Sequence, residues 1–525
     1  MSVSSPANIG VVGLALAAAC SGSGSGSASG GSGSGTGGSP AAGFVGAASV
    51  LQYHNHATRD GLYVDPALTR AAVAGLHRDS TFNASIQGPT FAQLLYVDDG
   101  GSGRDLVIAA TEQNIVYALD AGNGAVMWQQ QLGPPAPLGG SGVCGNIDPI
   151  GITGTPVIDP GSRTLYVAAM TGGGSAGRRH LVSALSLDDG SVRPGWPVDV
   201  AGVQSAGVRF NAAFENQRGA LLFLGGTVYV PYGGHEGDCG DYHGWVVAVP
   251  VDNPGGARGF ATAARGGGIW APGGLASDGV SVFAATGNTF GAGTWSHGEA
   301  VLRLQAGAVF SGSTADFFTP SNWKALDNGD VDVGGTGPLL VDLPGGVPSR
   351  LVVAFGKNGV AYVVDRSNLG GMGVGDGTTG EGVTSARVAS GAIINAAAAY
   401  TTSQGTYVVA RGAGLACATA GDLVAIRISA TTPPQISTAW CARHNGRGSP
   451  MVTTTDGHTE AIVWAVGAES SNRLTGFDGD TGQVVFAGGG AAESMSNVRR
   501  FSTPIAAKGR IFVASDTAVY AFTTR

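Results

Sequence analysis

Charge is what this chain has least of. Only 12% of its 525 residues are Asp, Glu, Lys or Arg, against roughly 25% in an average soluble protein, and the net charge is −8. A nucleic-acid surface needs a basic stripe, which this composition excludes. The apolar share of 43% excludes a charged disordered chain as well. No segment reaches the eighteen or so apolar residues of a membrane span, so no transmembrane helix is expected. Cys-x-x-Cys-His is missing, so no attached c-type haem is expected; Gly-x-Ser-x-Gly, the P-loop and His-Glu-x-x-His are missing too. What abounds is glycine, 91 residues without a three-residue period, which excludes collagen. Glycines spread between Val, Thr and Tyr point to many short strands and tight turns.

The N-terminus reads as an address. Residues 9 to 19 (IGVVGLALAAA) suit the apolar core of a secretory signal. Leu16-Ala17-Ala18-Ala19-Cys20 resembles a bacterial lipobox, which implies that Cys20 carries lipid; the alternative is a plain secretion signal cleaved near Ala19. Residues 1 to 20 are thus expected to be the signal with its lipobox, and residues 21 to 44, nearly all Ser and Gly at first, a flexible tether. By resemblance to Gram-negative lipoproteins, Ser21 after the cysteine favours anchoring at the outer membrane or cell surface. Four cysteines remain, Cys144, Cys239, Cys417 and Cys441. In an exported protein they are expected to form two disulfides. Of the three connectivities, Cys144–Cys239 with Cys417–Cys441 is favoured, because each pair lies within one repeat or in nearby ones.

The rest of the chain repeats itself. Residues 105 to 133 (DLVIAATEQNIVYALDAGNGAVMWQQQLG) read as strand, turn, strand, Gly turn, strand. GFDGDTGQVVF at 476 and ALSLDDGSVRPGW at 184 repeat the pattern of Asp, Gly and a closing aromatic. Asp and Gly make the turn, and the aromatic packs between neighbouring sheets. Ahead of each unit stands Gly-x-Pro or Thr-Pro with a short apolar strand, as in GTPVIDP, TGPLLVDLP, GSPMVTTTDG and STPIAAKG. Units begin near 88, 151, 211, 268, 332, 391, 448 and 502. Eight four-stranded antiparallel units arranged radially make an all-β, eight-bladed propeller over residues 45 to 525. The last unit has room for three strands only. HRDSTFNASI at 77 to 86 is expected to supply its outer strand and close the ring, removing an exposed sheet edge. One short helical turn is expected at 66 to 74.

The ALDAGNGAVMW unit resembles the repeat of pyrroloquinoline-quinone (PQQ) propellers, and CGNIDPIGITGTPVID and GHEGDCGDYHGWVVAV resemble an exported branch of that family. The resemblance implies one of two functions. Quinoprotein alcohol dehydrogenases hold PQQ and Ca²⁺ in the central funnel; outer-membrane assembly lipoproteins use the same ring as a protein-binding scaffold. Fold alone does not choose. The dehydrogenases carry two adjacent cysteines over the quinone, and here no two cysteines adjoin. Their metal site includes the Asn of a Thr-Gly-Asn turn, matched by Thr286-Gly287-Asn288.

The metal candidates are therefore Asn288 and, in the acidic stretch 327 to 332, Asp330 and Asp332, whose hard oxygens suit Ca²⁺ although their spacing is not an EF-hand's. The candidate ligand-binding loop holds His235, Asp238, Tyr242, His243 and Trp245. His235-x₃-Cys239-x₃-His243 also has the ligand types of a Zn²⁺ or Cu site, unless Cys239 is oxidised. No catalytic residue stands out. The expectation is a monomeric, lipid-anchored scaffold at the cell envelope that binds a protein, peptide or glycan and needs no cofactor. The alternative is a PQQ- and Ca²⁺-dependent dehydrogenase of small alcohols or sugars, with Asn288 as a metal ligand.

Overall fold

The computed structural model describes residues 46–525 apart from 99–102, 139–142, 174–176 and 418–420. Cys20 and the Ser/Gly tether lie outside the described residues. Eight antiparallel sheets form the blades of one propeller. Blade 1 is Leu95–Val97, Leu106–Ala110, Ile115–Asp120 and Val126–Gln131, from the axis outward. The inner strands of blades 2 to 8 are Val157–Asp159, Leu222–Leu224, Ala276–Ser277, Leu339–Asp342, Ala398–Thr402, Met451–Thr454 and Ile505–Ala507. Among the described residues the α-helices are Arg70–Val73, capped by Thr69, and Trp323–Asn328. No described helix is long and apolar enough to cross a membrane.

Blade 8 closes as its sequence requires. Its own strands end at Ala518–Thr523, and His77–Arg78 and Ala84–Ser85 pair antiparallel to that strand as the outer edge. Middle strands such as Leu106–Ala110 and Thr164–Thr171 are buried at every position, because each blade packs face to face on both neighbours. Outer strands alternate, as Val126–Gln131 does.

The repeat motif has a physical reason. Asp120 Oδ1 accepts the backbone N–H groups of Gly122 and Asn123, and Asp478 Oδ1 those of Asp480 and Thr481, so the aspartate builds the turn. The glycine that ends the turn has positive φ, +73° at Gly190 and +72° at Gly482. It is also where the preceding blade's tryptophan lies. A Cβ on Gly190 would stand 2.6 Å from the Trp128 ring, and one on Gly482 2.7 Å from the Trp440 ring. Trp128 Nε1 donates to Leu187 O at 2.9 Å and Trp440 Nε1 to Gly479 O at 2.7 Å, which stitches blade 1 to blade 2 and blade 6 to blade 7.

The leader, residues 50 to 64, plugs one end of the axis. Propeller inner strands present an unpaired edge there, and the leader supplies the missing partners. It bonds Tyr96 in blade 1 through Val50, and Ile158 in blade 2 through Leu51. Arg59 donates to Leu221 O in blade 3 and Leu275 O at the start of blade 4. Ala57, Thr58 and Asp60 carbonyls accept from Ser277, Leu340 and Ala399 in blades 4, 5 and 6. Leu62–Val64 pairs in parallel with Met451–Thr454 in blade 7, and Tyr53 OH bonds Thr503 Oγ1 at 3.0 Å beside blade 8. Eight blades are thus spoked to one segment. His54 belongs to this plug: it is 0% exposed, stacks on Tyr53 at 4.4 Å, and burial pushes its pKa down to about 4.

Candidate functional site

The connections that lead into the inner strands line a central cavity of about 270 Å³. On each strand the cavity residue comes first and the leader contact later: Arg218 before Leu221, Trp270 before Ser277, Asp332 before Leu340, Ile394 before Ala399, Phe501 before Thr503. The plug therefore lies beneath the cavity and forms its closed end.

At the centre of the wall is Asp332, 2% exposed. Its Oδ1 accepts the Asn288 N–H at 2.8 Å, and its Oδ2 accepts Trp270 Nε1 at 3.0 Å and pairs with Lys357 Nζ at 2.8 Å. Lys357 Nζ also meets Asp330 Oδ1 at 2.7 Å. Burial pushes the Asp332 carboxyl up, and Lys357 and the Asn288 N–H oppose it. Burial lowers Lys357, but Asp332 and Asp330 outweigh it and hold the ammonium above its ordinary value. The pair is a salt bridge in which Oδ2 takes two partners and Oδ1 one, so Oδ1 keeps a lone pair. Gly287 makes the approach possible, since a Cβ there would stand 2.7 Å from Asp332 Oδ1. Behind it is Glu299, 0% exposed, whose Oε2 accepts the Val333 N–H at 2.7 Å; burial, then the Asp332 charge, raises it well above the usual carboxylate range.

Two cations reach Trp270. Lys357 Nζ lies 5.4 Å from its ring centroid and Arg218 Cζ 5.8 Å; Arg218 is also 4.8 Å from the Phe501 ring. At these distances both interactions are of the cation–π kind. Burial lowers Arg218 to about 10, with Glu236 opposing, so the guanidinium is charged at neutral pH.

The blade 3 hairpin divides. His235, Asp238 and Tyr242 line the cavity, with Glu236. Tyr242 OH donates to Asp238 Oδ1 at 2.5 Å, and Arg265 fastens the hairpin through the carbonyls of Asp238 and Gly240. His235 is 2% exposed and burial, then Arg178 and His180, pushes it down to about 3, so its imidazole is neutral. The other two hairpin candidates are not in this wall. Trp245 is 0% exposed in the core between blades 2 and 3, 5.7 Å from the Phe210 ring, and its Nε1 donates to Glu215 Oε1 at 3.1 Å. It starts a middle strand, where both faces are covered. His243 points its Nδ1 at Thr262 O, 2.9 Å away. Cys239 is bonded to Cys144 and Cys417 to Cys441. The first disulfide ties the hairpin to the blade 1–2 connection and removes the thiolate that a His-Cys-His metal site would need. Among the described residues no group of three His, Cys, Asp or Glu side chains is placed to hold a metal ion. Asn288, Asp330 and Asp332 do share the cavity wall.

Arg218, Trp270, Lys357 and Phe501 were not expected from the sequence. Arg218, Trp270 and Phe501 stand just before a blade's inner strand, where the repeat register was the signal that points to them, and Lys357 stands in the turn between the second and third strands of blade 5.

No protein-family model matches the chain, and no curated protein matches it. Solved structures do. The quinohemoprotein alcohol dehydrogenase from Comamonas testosteroni is similar with a TM-score of 0.59 and 14% identity, over 91% of this chain and 80% of that one. A europium-containing methanol dehydrogenase gives 0.56 and 15%, over 89% of each chain. BamB from Moraxella catarrhalis gives 0.47 and 15%, over 85% of this chain and 99% of that one, a likeness too slight to argue from. At these identities the comparison establishes architecture: the chain is an eight-bladed β-propeller similar in fold to quinohemoprotein and methanol dehydrogenases.

Proposed function

We propose that the funnel is the active site of a quinoprotein-type oxidoreductase that binds PQQ on Trp270 and oxidises a small hydroxyl compound. The observation that carries this is the juxtaposition of one indole with a buried carboxylate and two cations. The groups present fit the cofactor. Trp270 offers an aromatic face for a planar ring system. Arg218, at that indole, supplies positive charge for a tricarboxylate quinone, while the Lys357 charge beside it is compensated by Asp330 and Asp332. Glycines 234, 268 and 287 line the cavity, where a Cβ at Gly234 would meet the Tyr242 ring at 2.5 Å and one at Gly287 the Asp332 carboxylate at 2.7 Å. Glu236, Asn288 and Asp332 bring hard oxygens to the same wall, and the Asn288 side-chain amide makes no hydrogen bond within the described chain. With no cage of three acidic side chains among the described residues, Ca²⁺ here would need further oxygens from the ligand itself.

Bound quinone supplies the two-electron acceptor. The chain's own part is proton handling and placement. Asp332 is the base: Lys357 favours its ionised form, while burial raises its basicity toward the range a general base needs. Trp270 Nε1 and the Asn288 N–H fix its orientation. The leader closes the far end of the cavity, so ligands enter from the side of the blade 3 hairpin. The two disulfides suit an oxidising compartment, and lipid at Cys20 would tether the enzyme to the envelope.

The test is to add PQQ and Ca²⁺ to the purified apoprotein. Tryptophan fluorescence should be quenched, and dye should be reduced with members of a panel of alcohols, aldoses and hydroxy acids. Asp332→Asn should keep the quenching and lose turnover by about a hundredfold or more, the usual reach of a general base. If PQQ leaves the fluorescence unchanged, the reading falls and the protein-binding scaffold is the function to pursue.

A further inference from the structure

Among the described residues, all but two of the charges in the cavity wall pair off; the two are Glu236 and Arg218. Lys357 is held by Asp330 and Asp332. Arg500, also in the wall, has its Nε 2.9 Å from Glu469 Oε1 and 3.0 Å from Oε2. Asp238 accepts from Tyr242. Arg218 makes neither a hydrogen bond nor a salt bridge among the described residues; its partners are the rings of Trp270 and Phe501. A guanidinium carries five N–H donors in a planar fork. Two rings lie within reach of that fork, and no other described residue takes its donors. Its pull toward Glu236 and Glu112 acts through space and satisfies no donor. Exposed arginines reach water on all sides; this one sits in a cavity of about 270 Å³. The complement of a rigid, charged, donor-only fork is a carboxylate taken through two parallel hydrogen bonds.

We infer that Arg218 is the carboxylate receptor of the funnel, so that the small molecule bound beside Asp332 is an anion, a hydroxy acid or sugar acid rather than a neutral alcohol. The inference rests on the funnel being the ligand site, as proposed above, and adds the charge of the occupant. Two sources carry the same chemistry, a carboxylate of the substrate and a carboxylate of the quinone, and they separate by experiment.

Calorimetric titration of the full chain without cofactor, at low ionic strength, would use two matched pairs, glycolate against ethylene glycol and gluconate against glucitol, and PQQ as a third probe. The acid of a pair should bind and its neutral partner should not. Arg218→Gln should weaken the acid at least tenfold, and Arg218→Lys, which keeps the charge but not the fork, should weaken it less. Thermal melts of both variants check that the ring is intact. If Arg218→Gln weakens PQQ tenfold and the hydroxy acids bind equally with and without it, the carboxylate belongs to the cofactor and the substrate assignment is overturned. If PQQ fails to bind while the acids bind in an Arg218-dependent way, the quinone reading fails and the receptor stands. If neither PQQ nor any acid responds to Arg218→Gln, the arginine is a packing element and the inference is wrong.

Discussion

Arg59 holds the leader in the ring, and its removal should measure what the plug contributes. The residue is 2% exposed and sits at φ +63°, a left-handed conformation that few non-glycine residues adopt. Its guanidinium donates to Leu275 O at 2.6 Å, Leu221 O at 2.8 Å, Tyr53 O at 2.8 Å and Gln52 Oε1 at 3.3 Å. Three of these acceptors are buried main-chain carbonyls from blades 3 and 4 and from the leader itself. Arg59→Met keeps most of the stem's volume and removes every donor. Each orphaned carbonyl costs about 1–2 kcal/mol, so the three together cost about 4 kcal/mol. The buried charge is itself unfavourable, as the fall of the Arg59 pKa to about 9 shows, and its loss returns part of that sum. A net loss of about 3 kcal/mol is expected in urea unfolding at pH 7, with an unchanged m-value. Arg104→Met is the control: that side chain is 60% exposed and ion-paired to Asp120 at 3.4 Å, so its removal should change stability by less than about 0.5 kcal/mol. A loss for Arg59→Met no larger than the control's would refute the plug as a stabilising element, and with it the argument that the leader forms the cavity's closed end.

Two further outcomes are expected. Glu112 is 0% exposed, its Oε2 accepts the Gly151 N–H at 2.6 Å, and burial pushes its pKa from 4.5 to about 7. A raised folded pKa on an acid means that the native state binds the extra proton; the contribution is full below pH 4.5 and is lost as pH rises to 7. Between those limits the wild type should lose about 3 kcal/mol more stability than Glu112→Gln, and parallel pH profiles from denaturant melts would sink the assignment. Gly287→Ala should weaken PQQ binding about tenfold, because its Cβ would lie 2.7 Å from Asp332 Oδ1 and 3.2 Å from Trp270 Nε1, and overpacking of this order costs about 1–3 kcal/mol. Unchanged fluorescence quenching in that variant would show that the Asp332–Trp270 contact is not part of the ligand site.

The fold was open to reading because its signals are local and repeated. An Asp-built turn, a positive-φ glycine and a closing aromatic recur in one segment, and Trp128 on Gly190 shows why they must recur together: the aromatic of one blade needs the missing Cβ of the next. The three-strand remainder at the C-terminus likewise demanded an outer strand from elsewhere, and 77 to 86 was the unassigned segment that could give it. The leader's role was less legible. Its bonds to the inner strands run between main-chain groups, from Arg59 to carbonyls, or from Tyr53 to Thr503, and no repeated side-chain pattern announces them.

The site was half legible, and the division follows from how a propeller builds one. Residues within a single hairpin, His235, Asp238 and Tyr242, could be grouped by adjacency, but adjacency also swept in Trp245, which belongs to a strand and is core. Asn288 and Asp332 could be named only from short motifs, and nothing in either motif says that the Asn288 N–H reaches Asp332. Arg218, Trp270 and Phe501 come from blades 3, 4 and 8, far apart in sequence, and meet only because each stands just ahead of an inner strand, where eight connections converge on the axis. The register that identified the strands therefore also identifies the funnel. The position immediately before GALLFL, APGGLAS and STPIAAK is Arg218, Trp270 and Phe501, and Asp332 stands two residues before the Gly-Gly-Thr-Gly-Pro run. In a ring whose strands are apolar by necessity, those positions lie ahead of the strands and outside the apolar packing of blade on blade. An indole, a guanidinium and a carboxylate gathered there are better explained by what enters the funnel than by what holds the blades together.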